Sequence, residues 1–161
     1  MKLASGVAPI ARMLNFGVHV GLGPDGPAGS NNDFNMFEEM DLAAKLAKVT
    51  TLDPRAVPAA TALEMATLGG ARVLGMEKDL GSLEAGKLAD MITVRIDRPH
   101  AQPLYDAVSQ MVYALKGSDV RDVMVNGKPV VRDARILTLN EAAILAKAAE
   151  YRAQIAKSVG R

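Results

Sequence analysis

The sequence contains no cysteine and no tryptophan, and only two histidines among its 161 residues. The first absence excludes disulfides, thiolate zinc sites and a cysteine nucleophile. It accords with a reducing, cytoplasmic setting. Aromatic residues make up only 4%, which leaves no stacking platform for single-stranded nucleic acid. An excess of one charge is lacking too. Lys plus Arg is 19 and Asp plus Glu is 18, for a formal net charge of +1, so no electrostatic footprint for nucleic acid is present. The opening Met1-Lys2-Leu3-Ala4-Ser5-Gly6 has one basic residue and no sustained apolar run behind it, so no signal peptide is expected. No apolar stretch approaches the ~20 residues of a membrane span, and no membrane partner is expected.

What is present suits a globular chain of about one domain: 49% of residues are hydrophobic and 23% charged. Gly17 to Gly23 reads as a buried strand, with Val18, Val20 and Leu22 on one face and Gly17, His19, Gly21 and Gly23 on the other. Pro24-Asp25-Gly26-Pro27 ends it. Ser30 to Lys48 reads as a helix capped by Ser30, Asn31 or Asn32, with Phe37, Met40, Ala44 and Ala47 on its apolar stripe. Asp53-Pro54 signals the start of a second helix running to Leu74, with Gly75 as its stop. Gly69-Gly70 inside that helix costs ~1 kcal/mol per residue against Ala, which close packing on a neighbour would offset. Beyond it come strands at 90–96, 120–125 and 128–131, the last two joined at Asn126-Gly127, and a short helix at 106–115. Thr138 to Glu141 matches a capping box that opens an Ala-rich terminal helix, expected to pack on the body of the protein.

Asp25 is the sharpest chemical candidate. A carboxylate just past a strand end can ligate a metal or move a proton, but Pro-Asp-Gly is also an ordinary turn sequence, and the local pattern leaves both readings open. His19 shares its parity with Asp25, yet six residues at ~3.3 Å each separate them by roughly 20 Å, too far to share a metal. It reads as a strand-base histidine, and His100, after Pro99, as a solvated loop residue. Glu38 and Glu39 read as a solvated helix face, and Met36, Met40 and Met65 as packing residues.

A collinear set of motifs runs through nearly the whole chain: Lys2 to Gly6, Gly21 to Gly26 (GLGPDG), Ser30 to Asp33, Met36 to Met40, Ala66 to Ala71, Gly81 to Asp90 (GSLEAGKLAD), Leu104 to Asp106 and Val125 to Gly127. With these motifs the chain resembles the C-terminal part of amidohydrolase superfamily enzymes, specifically the methylthioadenosine/S-adenosylhomocysteine deaminases and their chlorohydrolase relatives. The resemblance implies an α/β fold: the C-terminal end of a (β/α)8 barrel at residues 1–77, part of a small composite β-sandwich at 78–134, and a C-terminal helix at 135–161. It implies zinc, or iron, held by a His-x-His pair, two further histidines and an Asp at the end of the last strand. Asp25 matches that Asp, as metal ligand and as the catalytic group that takes a proton from water. Ser5 and Gly6, with Ser30 and Asn31, would lie near a small-molecule nucleoside-type substrate. Pro24 stands where the family usually has Thr; Pro removes an N–H and fixes φ, which changes how Asp25 is aimed. With two histidines, the three-His-plus-Asp set cannot be assembled from this chain alone. The expectation is therefore a C-terminal segment of an adenosine-type deaminase, inactive by itself. The alternatives are a non-catalytic binding or self-association module, or a subunit completed by a second chain. Homo-oligomerisation or association with the rest of the enzyme is expected either way.

Overall fold

The computed structural model describes residues 3–27 and 30–160. Its first half is helical: α1 (Ile10–Asn15), α2 (Met36–Thr51), α3 (Ala59–Ala66) and α4 (Leu68–Val73). The second half holds β1 (Met91–Val94), α5 (Ala107–Tyr113), β2 (Val120–Val125), β3 (Lys128–Arg132), β4 (Arg135–Ile136) and the terminal α6 (Glu141–Ser158). The result is an α/β protein with one small antiparallel sheet. Among the described residues, no helix is long and apolar enough to cross a membrane.

The core lies where α2, α3 and α5 meet. Phe37, Met40, Ala43, Ala44 and Ala47 of α2 face Ala62 and Met65 of α3 and Val112 of α5, with Leu115 and Ala101 closing the cluster. The stripe expected on α2 is thus the buried one, and Met40 and Met65 are packing residues. Small alanines let the helices approach closely, while Phe37 and the methionines fill the gaps. Lys48 fastens the end of α2. Its ammonium donates to the carbonyls of Ala56 (2.8 Å) and Val57 (2.7 Å) and stands 5.8 Å from the centre of the Tyr113 ring.

Helix starts fall later than the sequence suggests, because side chains claim the backbone donors first. Asn31 Oδ1 accepts from the N–H groups of Asn32 (2.7 Å) and Asp33 (3.1 Å), holding that stretch as a turn, and Asn35 becomes the cap of α2 by accepting from Phe37 N–H. Asp53 Oδ1 likewise accepts from Arg55 N–H at 2.9 Å, and α3 begins only after Pro58. The expected single helix from Asp53 to Leu74 is broken at Thr67, where φ is −127° and ψ −100°. At α6 the cap is Asn140, through Ala143 N–H at 3.0 Å, and not Thr138.

Gly17 to Gly23 is not a strand. Its alternation survives in part: Val20 and Leu22 are half-buried and Gly21 and Gly23 exposed, but Val18 and His19 are exposed as well. A strand is defined by a partner, and every partner in the described sheet comes from residues 91–136. The segment instead runs along α3 and α4, with Leu22 N–H donating to Met65 C=O at 3.1 Å. A Cβ added to Gly21 would lie 2.9 Å from Gly70 Cα, and one added to Gly69 would lie 2.7 Å from Val20 O. This is close packing of the kind expected to offset the helix cost of a glycine, and it requires the missing Cβ at Gly69 but not at Gly70.

The sheet has the order β1-β2-β3-β4 and is antiparallel throughout. Asn126 (φ 49°) and Gly127 (φ 73°) form the expected tight hairpin turn, both in the left-handed region. Pro129 lies where the β2–β3 register shifts, a position that tolerates a missing N–H. Thr93 Oγ1 donates to Asp122 Oδ2 at 2.6 Å across β1 and β2. Against expectation, α6 contributes nothing to the core: none of its residues is buried, and Ile144, Leu145, Tyr151 and Ile155 are all exposed.

Candidate functional site

An open cleft of about 480 Å³ sits where the extended segment gives way to the loop before α2. Its walls include Ser5, Pro24, Asp25, Ser30, Asn31, Glu38 and Glu39. Four of the five residues singled out from the sequence therefore share one concavity. Gly6, with φ +98°, follows Ser5 in the loop toward α1 and is not among the described cleft walls.

Asp25 is exposed and has φ 58°, a conformation that Asp, Asn and Gly adopt most readily. Pro24 and Gly26 on either side build a turn that turns the carboxylate back on itself, so that Asp25 Oδ1 accepts from Gly26 N–H at 2.7 Å. The neighbouring Ser30 side chain, and secondarily the Gly26 N–H, hold the Asp25 pKa below the ordinary carboxylate value. The carboxylate keeps an open side toward solvent and the cleft. Ser30 Oγ also reaches Gly26 O at 3.3 Å, and Asn31 N–H donates to the same carbonyl at 3.2 Å. These contacts seat the 30–33 turn over Asp25.

Glu39, expected from the sequence on a solvated helix face, is a cleft residue. It is half-buried, not part of a solvated face, and its Oε1 accepts from Asn31 Nδ2 at 2.9 Å. Burial raises its pKa, with the Asn31 hydrogen bond pulling the other way. Glu38, its neighbour, is exposed as expected. The available signal was helical phase: Glu39 precedes Met40, which is buried at 3% exposure, whereas Glu38 follows Phe37 on the outward turn.

The histidines lie apart from this cleft. His19 is exposed on the extended segment. His100 is exposed, as expected, but it sits in a single 3-10 turn, Pro99–Ala101, and its Nε2 is 2.8 Å from Oδ2 of the buried Asp119. A structural zinc site needs four ligands and a catalytic one at least three from the protein. Among the described residues no group of three or more His, Asp or Glu is placed to hold a metal ion. Asp25 offers one oxygen ligand of suitable chemistry, so the described residues do not by themselves fit a metal.

The sequence profile of the Amidohydrolase family matches residues 1–130. A 5-methylthioadenosine/S-adenosylhomocysteine deaminase of Syntrophus aciditrophicus is 55% identical over 141 residues, covering 88% of this chain and 32% of that protein. The corresponding deaminase of Desulforudis audaxviator is 49% identical over 159 residues, 99% of this chain and 37% of that protein. A crystal structure of an adenosine deaminase from Xanthomonas campestris with bound zinc superposes with a TM-score of 0.92 at 42% identity, over 97% of this chain and 35% of that one. The chain thus spans about a third of the length of the relatives it matches. On the profile match and on these identities, the chain belongs to the amidohydrolase family.

Proposed function

We propose that this chain is the C-terminal portion of a metal-dependent deaminase acting on an adenosine-type nucleoside of the S-adenosylhomocysteine or methylthioadenosine class. One observation carries the reading. The cleft that gathers Ser5, Asp25, Ser30 and Asn31 lies in a chain about half identical to deaminases of that class. In this reading residues 1–77 are the closing units of a (β/α)8 barrel and 78–134 part of a composite β-sandwich. The unpaired extended segment at Gly17–Gly23 is then a barrel strand whose neighbours come from elsewhere, and Asp25 lies at its C-terminal end, where barrel chemistry resides. Asp25 is the carboxylate this segment contributes, one oxygen ligand and a proton acceptor. Histidines for zinc or iron come from strands outside these residues, on the same polypeptide or on another. Ser30 and Asn31 form the wall that faces the substrate.

The test is deamination of S-adenosylhomocysteine and methylthioadenosine, followed by ammonia release, for the 161-residue chain with zinc and for the chain co-expressed with a His-x-His-bearing barrel segment of a close relative. The reading expects turnover only in the second case, abolished by Asp25→Asn. Zinc-dependent turnover by the chain alone would refute the division of ligands, and a complemented, folded assembly without turnover would refute the activity.

A second reading, a non-catalytic association module, draws on α6 and its exposed Ile144, Leu145, Tyr151 and Ile155. Light scattering after size exclusion separates the cases: a compact monomer at all concentrations removes self-association.

A further inference from the structure

We infer that Glu39 is a positioning residue that holds the 30–33 turn in place over Asp25 through the side chain of Asn31. The inference rests on the reading of that cleft as the substrate-facing site, and it gives α2 a direct part in shaping it.

The chain of contacts is short and continuous. Glu39 is anchored on α2 between residues that fix the helix to the core, Phe37 and Met40, exposed by only 6% and 3%. Its Oε1 accepts from Asn31 Nδ2 at 2.9 Å. That bond uses one end of the Asn31 amide and thereby orients the other. The Oδ1 atom then accepts from the N–H groups of Asn32 (2.7 Å) and Asp33 (3.1 Å). The same residue's backbone N–H donates to Gly26 O at 3.2 Å, and Ser30 Oγ reaches that carbonyl at 3.3 Å. Asn31 therefore links a rigid helix on one side to the turn carrying Asp25 on the other.

The two backbone donors fix which end of the Asn31 amide faces them, since a flip would aim its NH2 at two N–H groups, and Glu39 supplies the acceptor that holds the outward NH2. The partial burial of Glu39 has a cost, since it opposes ionisation of the carboxyl; the Asn31 donor is the compensation the structure supplies. A glutamate meant only for solubility would be placed one residue away, where Glu38 is exposed.

The test is amide hydrogen exchange by NMR on the full 161-residue chain, read at Asn32 and Asp33, with Ala44 and Ala47 in α2 as internal controls. Glu39→Ala and Asn31→Ala should each speed exchange at Asn32 and Asp33 by about three- to tenfold, the scale of one net hydrogen bond, with Ala44 and Ala47 unchanged. Glu39→Gln should stay close to the parent, because the amide oxygen replaces the accepting carboxylate oxygen. Unchanged exchange in both alanine variants would overturn the inference. So would a Glu39→Gln variant as loose as Glu39→Ala. Should Glu39→Ala fail to fold, Glu39→Asp, which withdraws the acceptor by one methylene, and Asn31→Ala decide by the same criterion. Because the readout needs no turnover, failure of the deaminase reading would leave this result standing, and the reverse.

Discussion

His100 Nε2 and Asp119 Oδ2 lie 2.8 Å apart and join the 3-10 turn before α5 to the start of β2. Asp119 is the one buried charged side chain among the described residues, and the same oxygen also accepts from Lys116 N–H at 2.8 Å. Gln110 Nε2 donates to His100 C=O at 3.1 Å, and Asp119 C=O accepts from Arg95 N–H at 2.8 Å, so the pair sits at the seam between the α5 region and the sheet.

Asp119→Ala should lower stability by about 1–3 kcal/mol, read as a fall in the urea midpoint, because Lys116 N–H and His100 lose a buried acceptor. His100→Ala should cost less, its side chain being 46% exposed.

Acid should weaken the same seam. Burial pushes the Asp119 pKa up, but the donors from His100 and Lys116 outweigh it and leave the folded value below the ordinary one. A lowered folded pKa means that the carboxylate's contribution is fully present above the unfolded value near ~3.9 and is lost as pH falls through the folded value. Urea titrations below about pH 5 should show the parent losing stability more steeply than Asp119→Asn.

Two adjacent glycines should respond oppositely to alanine. A Cβ on Gly69 would meet Val20 O at 2.7 Å and Glu64 O at 2.9 Å, so Gly69→Ala should destabilise by about 1–3 kcal/mol despite better helix propensity. A Cβ on Gly70 meets only Met65 O at 3.6 Å, so Gly70→Ala should be neutral or stabilising by up to ~1 kcal/mol. Thermal melts of the two variants measure both.

The Asp25 carboxyl should titrate differently without its neighbour. The Ser30 side chain is the leading cause of its lowered pKa, so Ser30→Ala should move that pKa upward toward the ordinary carboxylate value, followed by 13C NMR of the side chain. Asp25→Asn should leave the urea midpoint unchanged, since Asn tolerates the left-handed φ of 58° equally well.

The terminal helix should behave almost as an isolated peptide. An 18-residue helix with no buried residue has little beyond its own hydrogen bonds and caps. Truncation after Asn140 should leave the melting temperature of the remainder unchanged, and α6 amides should exchange much faster than those of α2. Protection that rises with protein concentration would show that the exposed Ile144, Leu145 and Ile155 find a partner in a second copy.

The sequence by itself determined whatever depends on neighbours along the chain. The Asn126-Gly127 hairpin, the buried stripe of α2, the stop at Gly75 and the family motifs around Asp25 were all legible, because turn dihedrals and helical periodicity are set within a few residues. Caps were less so: Asn31 and Asp53 each spend their side chains on the next backbone donors, and that local competition moved the starts of α2 and α3. Gly17–Gly23 has the alternation of a strand, but pairing is a property of two segments, and here the second is not among the described residues. Only the tertiary structure decided which distant groups meet. His100 and Asp119 are 19 positions apart, Glu39 turns inward to Asn31, and Gly21 and Gly70 touch backbone to backbone. Each is a contact whose strength comes from burial and short distance, and neither quantity is written in the order of the residues.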